Sequence, residues 1–154
     1  MAGLRARVSN RGEPGADRGD INIPRIHLWL AEHSRVYRPG EVLEGYFRLE
    51  EASPEQVRAV ELSAVWHTEG KGEEDLSVHY FERLEPASGS ANDFTQPHLF
   101  KSILPPSPLS YSGLILKIRW CVRARVFLAR GKELTHEVPF QLGTVPSAQS
   151  VTAT

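Results

Sequence analysis

One cysteine, Cys121, stands in 154 residues, so the chain has no internal disulfide framework, and a reducing compartment fits that usage. No apolar run approaches the length of a membrane span, and the opening Met1-Ala2-Gly3-Leu4-Arg5-Ala6-Arg7 carries no hydrophobic stretch of a secretory signal. The expected location is therefore the cytoplasm, with no integral membrane segment. Charge of one sign is also missing. A formal net charge of -1 gives no global reason to expect nucleic acid or an anionic surface as partner, so any charge-based function has to be local. Apolar residues at 40% and charged residues at 24% are ordinary for a globular domain, and a chain of this length can bury a core without metal or disulfide staples. A helical period sustained over three turns is absent as well.

What is there is alternation. From Leu114 to Leu128 the even positions read Leu114, Leu116, Ile118, Trp120, Val122, Ala124, Val126 and Leu128, while Lys117, Arg119, Cys121, Arg123 and Arg125 stand among the odd ones. Side chains on a strand point alternately to opposite faces, so this period of two predicts a long strand with a core wall and a basic outer stripe. Similar runs occupy Ile23 to Ala31, Leu43 to Leu49, Val57 to His67, Leu76 to Leu84, Phe94 to Leu104 and Leu134 to Leu142. Val60, Leu62, Ala64 and Trp66 are the predicted core positions of the third of these.

Turn chemistry separates the runs. Tyr37-Arg38-Pro39-Gly40-Glu41 supplies a proline for the first corner of a turn and a glycine for the positive φ that follows. Thr68 to Asp75 is polar and glycine-rich enough to predict a hairpin tip, and the prolines of Leu104 to Gly113 exclude a central strand and predict an ordered crossover. About seven strands with turns every ten or so residues predict an all-β, antiparallel sandwich of immunoglobulin type, with a closed barrel as the alternative. The expected organisation is a flexible arm over 1–20, the sandwich over 21–143 and a small uncharged tail over 144–154.

Two passages carry a family resemblance. Val36-Tyr37-Arg38-Pro39-Gly40-Glu41-Val42-Leu43-Glu44-Gly45 is similar to the "Y-x-P-G-E-x-V-x-G" stretch of the arrestin N-terminal domain. Phe100, Leu104-Pro105, Pro108, Ser110-Tyr111 and Gly113, leading into Ile118-Arg119-Trp120-Cys121-Val122, resembles the arrestin "F-x-x-x-L-P … P-x-S-[FY]-x-G … I-x-Y-x-V" passage. The resemblance implies an arrestin-like sandwich and a non-catalytic adaptor or scaffold that binds a protein partner. It also marks two departures. Arrestins place two such sandwiches in tandem, whereas this chain has length for one, and Pro105-Pro106-Ser107-Pro108 lacks the tyrosine of the Pro-Pro-x-Tyr motif found in some arrestin relatives.

Catalytic and metal patterns are sparse. His27, His33, His67, His79, His98 and His136 show no metal-ligand spacing, Gly70-Lys71-Gly72 lacks the pattern of a phosphate loop, and Glu69, Glu73, Glu74 and Asp75 lack that of a calcium loop. Neither a metal nor a cofactor is expected. An enzyme requires a cleft with converging titratable groups, and Cys121, flanked by Arg119 and Arg123 whose charges favour a thiolate, is the one nucleophile to weigh. The candidate partner-binding residues are Lys117, Arg119, Arg123 and Arg125, in a row about 6.5 to 7 Å apart along one sheet face. Their ordinary role is cross-strand pairing with Glu44, Glu61 and Glu137. An edge strand open to a second copy is another route to association. A carbohydrate- or small-ligand-binding sandwich is the alternative function, for which Trp29, Tyr46 and Tyr80 are the candidate exposed aromatics.

Overall fold

In the computed structural model, residues 23–32, 36–53, 55–86 and 93–146 are described. The proposed arm over 1–20, the 144–154 tail beyond 146, and His33 lie outside them. Seven strands of six residues or more form in chain order: β1 (Arg25–Leu30), β3 (Val42–Glu50), β4 (Val57–Gly70), β5 (Leu76–Leu84), β6 (His98–Ile103), β8 (Leu116–Leu128) and β9 (Glu133–Leu142). Two two-residue strands, β2 (Val36–Tyr37) and β7 (Tyr111–Ser112), complete the series. One sheet has the order β1-β3-β6; the other runs β2-β9-β8-β4-β5, with β7 also on β8. All pairings are antiparallel except β2 with β9, so the expected all-β antiparallel sandwich is what these residues make.

The core is the set of positions that alternation assigns to the inner faces. Leu28, Leu30, Leu43, Phe47, Leu49 and Phe100 come from the smaller sheet; Val60, Leu62, Ala64, Trp120, Val122, Ala124 and Val126 come from the larger, and all are buried. Burial of this apolar surface, at about 25 cal/mol per Å², is the main term holding the sheets together. The crossover before β8 is pinned to it, since the Trp120 indole N–H donates to the Pro108 carbonyl at 2.8 Å.

Several boundaries differ from the expectation. β8 starts at Leu116, because its partner β4 ends opposite that residue and Gly113 N–H donates to the Leu116 carbonyl to close a turn. Leu114, expected in the core, is 84% exposed in that turn beside Ile115 at 77%. Thr68 to Gly70, expected in a loop, are the last residues of β4, held by pairing with Ile118, Lys117 and Leu116 despite their low strand propensity. Gly70 is needed there, because a Cβ would overlap the Ile115 carbonyl oxygen. Trp66 is only partly buried, near the open end of β4. The Phe94 run becomes a strand only from His98; Phe94 itself is buried and its carbonyl accepts from Leu49 N–H. Tyr37 is a strand residue rather than part of a turn, paired with Leu142 and buried.

Gly45 shows how tightly the smaller sheet packs. It sits opposite Phe100 on the inner face, and a Cβ added there would overlap the buried Phe100 ring. Gly45→Ala is therefore expected to destabilise the fold by about 1–3 kcal/mol through overpacking. Thermal or urea unfolding reads this directly; an unchanged midpoint contradicts it.

Candidate functional site

The register places the four candidate cations on the outer face of the larger sheet. Arg125 is opposite Glu61 and Thr135, Arg123 opposite Ser63 and Glu137, Arg119 opposite His67, and Lys117 opposite Glu69. Two of the arginines are well paired. Arg123 donates through Nε to Glu137 Oε1 at 2.8 Å, with its Nη2 at the same distance, and Arg125 donates through Nε to Glu133 Oε1 at 2.7 Å while Nη1 lies 3.6 Å from Glu61. The Glu133 hydrogen bond raises the Arg125 pKa, so its charge is fixed at any working pH. Arg83 on β5 continues the ladder, bonding Glu61 at 2.8 Å and Glu85 at 3.1 Å. The guanidiniums of Arg83 and Arg125 lie 5.7 and 5.1 Å from the ring centroid of Phe127.

The other two cations are freer. Arg119 reaches Glu69 only at 3.8 Å, and Lys117 has no carboxylate within 4 Å among the described residues. Of the three acids expected to face the stripe, Glu61 and Glu137 do so. Glu44 instead lies on the smaller sheet, 3.5 Å from Lys101. The basic stripe is thus an ion-paired ladder at one end and two looser cations at the other.

Between these ends runs an uncharged row, Val78, Val65, Cys121 and Pro139 from four adjacent strands. Cys121 is buried there, and burial pushes its thiol pKa up to about 12, with Glu137 adding to the rise and Arg123 opposing it. The activation expected from neighbouring arginines is therefore overturned, because desolvation of the thiolate exceeds the single favourable charge. Among the described residues, no group of three or more His, Cys, Asp or Glu side chains is placed to hold a metal ion. Three histidines instead sit on single carboxylates: His27 on Glu50 at 2.6 Å, His98 on Glu82 at 3.0 Å and His67 on Glu69 at 3.2 Å.

The three candidate aromatics do not form one row. Trp29 and Tyr46 share the outer face of the smaller sheet, their rings stacked with centroids 5.5 Å apart. Tyr80 points inward, stacked on Phe100 at 6.5 Å, and its hydroxyl donates to Glu82 at 2.6 Å. Burial and that carboxylate both raise its pKa.

Two surfaces were not singled out from the residues. One is β5, the edge of the larger sheet, where Leu76, Val78 and Phe81 are exposed. The other is the outer face of the smaller sheet, where Val42, Leu99 and Ile103 are exposed. The signal for the second was present: β6 and the residue after it have apolar residues at both parities, Leu99-Phe100 and Ile103-Leu104, which a sheet solvated on one face does not require.

No family model matches the chain, and no curated protein matches it. Among solved structures, the sporulation control protein Spo0M from Bacillus subtilis is similar at a TM-score of 0.55 and 13% identity, over 81% of this chain and 51% of that one. This chain thus spans about half the length of that neighbour, and the likeness is one of fold: an all-β sandwich. The superoxide reductase neelaredoxin from Ignicoccus hospitalis aligns at a TM-score of 0.45 and 12% identity, over 78% and 80% of the two chains.

The buried thiol gives a direct test. In the native protein at pH 7 a thiol reagent is expected to modify Cys121 at less than about a hundredth of the rate seen in denaturant, since a pKa near 12 leaves almost no thiolate. Rapid native labelling contradicts this.

Proposed function

We propose that the protein is a non-enzymatic adaptor or scaffold that holds a protein partner along β5. The observation that carries this reading is a nine-residue strand, paired among the described residues on one side only, with Leu76, Val78 and Phe81 each more than half exposed. Such an edge offers its free backbone N–H and C=O groups to an extended segment, while alternate apolar side chains give selectivity. A register shift opposite Ala64 and Val65, together with the 2.8 Å contact of His79 Nε2 with the Ile103 carbonyl, interrupts the strand near its middle. The regular stretch from Tyr80 to Leu84 is therefore where a partner segment pairs best. Arg119, one of the loosely held cations, is level with Leu76 at the other end of β5 and Lys117 lies beyond it, so they suit an acidic group on a partner segment that runs past Leu76.

The arrestin-like passages support an adaptor role, and the single buried cysteine supports a cytoplasmic setting. A carbohydrate- or small-ligand-binding sandwich is the second reading, resting on the Trp29–Tyr46 pair. Silence on a glycan array counts against it.

The adaptor reading is tested by affinity purification of the tagged full chain from its native cell with quantitative mass spectrometry. Phe81→Asp is expected to reduce recovery of the partner by about tenfold or more, the cost of losing an anchor at an interface. Lys117→Glu with Arg119→Glu is expected to reduce it less. A partner retained by Phe81→Asp overturns the assignment to β5.

A further inference from the structure

The outer face of the smaller sheet has an apolar character that its own fold does not use. Toward one end its cross-strand rows, set by register, are Trp29–Tyr46–Leu99, then Glu44–Lys101, then Val42–Ile103, while the other end carries the charged rows His27–Arg48 and Arg25–Glu50. Ile103 is 67% exposed, Val42 51%, Leu99 41% and Trp29 37%. Exposed apolar residues gathered across three strands around one ion pair mark an interaction site rather than a solvated face.

We propose that this face is where two copies of the chain pack, related by a two-fold axis parallel to the strands and midway between β3 and β6. The argument is self-complementarity. Such an axis lays β3 of one subunit over β6 of the other and preserves the rows. Glu44 then meets Lys101 of the partner subunit, Tyr46 meets Leu99 of the partner subunit, and Val42 meets Ile103 of the partner subunit. Each contact is made twice, as an isologous interface requires. An acid meets a base, an aromatic ring meets an aliphatic side chain, and two aliphatic side chains meet.

Other occupants fit less well. A sugar ring stacks best on broad open aromatic faces, but Trp29 and Tyr46 cover one face of each other and Trp29 is only 37% exposed. A bilayer gains nothing from the Glu44–Lys101 pair at the centre of the patch.

The size of the face sets the expected strength. About this axis only β3 and β6 lie over one another, two strands about 4.8 Å apart paired from Val42 to Phe47, a projected area of roughly 200 Å² per subunit that with side-chain relief stays well below about 1,200 Å² in total. So small an interface is expected to be weak, with association read at the upper end of the concentration range. This inference is independent of the β5 reading: it leaves both β5 edges open, so a dimeric scaffold would present two of them.

Sedimentation equilibrium of the full chain, from a few to a few hundred micromolar, tests the proposal through charge exchange. Wild type is expected to dimerise, and Glu44→Lys and Lys101→Glu are each expected to weaken the dimer by about tenfold or more, because each places like charges across the axis twice. An equimolar mixture of these two variants is expected to recover the dimer, since every cross-axis contact then has opposite signs. Repair within one chain cannot explain that recovery, because each variant still has like charges side by side. Ile103→Asp, at the most exposed apolar position, is expected to abolish association, and thermal unfolding checks that each variant keeps the fold. A monomeric wild type, a dimer indifferent to these substitutions, a mixture that stays monomeric, or a monomer that takes up glycans on Trp29 overturns the proposal.

Discussion

The β4–β8 pairing is the constraint on which the rest depends. It runs from Val57 opposite Leu128 to Gly70 opposite Leu116; β5, β7 and β9 each pair with one of these two strands, and β2 joins the sheet through β9. Its inner face presents Val60, Leu62, Ala64, Trp120, Val122, Ala124 and Val126 to the smaller sheet. A shift of one residue would move this whole set to the outside and bring the arginines in. The outer face reinforces the same register: Arg125 reaches Glu61 and Glu133, and Arg123 reaches Glu137, only when β4, β8 and β9 are aligned as they are. Exposed ion pairs add little stability individually, about 0–1 kcal/mol each. Their effect here is on which alignment is preferred.

That dual role explains why the most regular feature of the sequence is a poor docking stripe for half its length. Carboxylates on the flanking strands answer Arg123 and Arg125, and desolvation keeps Cys121 protonated beside Arg123. The proposed recognition therefore rests on the other places: the free edge of β5, the loosely paired Lys117–Arg119 end, and the outer face of the smaller sheet.

The fold was legible because alternation is a local signal that tertiary packing obeys. Phe47, Leu62 and Val122 are buried where the two-residue period puts them. Strand ends were less legible, because they are set by partner length rather than propensity. Thr68 to Gly70 extend β4 because β8 is there to pair with them, and Leu114 stands in solvent because nothing is opposite it. The stripe was legible as a row of cations, but which of them are paired depends on register between strands far apart in sequence. Tyr80 could not be placed from its neighbours: the register shift in β5 beside it changes which side chains face inward. The apolar outer face of the smaller sheet was written in Leu99-Phe100 and Ile103-Leu104, a doublet pattern hidden by attention to the core parity alone.

Native-state hydrogen exchange measures the central claim most directly. If the β4–β8 pair organises the sandwich, the amides of Val60 to Val65 and of Trp120 to Val126 exchange only through global unfolding, with a common opening free energy equal to the overall stability. Amides of β1, β6 and β5 then exchange through smaller openings. Amides of β4 and β8 that exchange as fast as those of β1 and β6 would contradict the account.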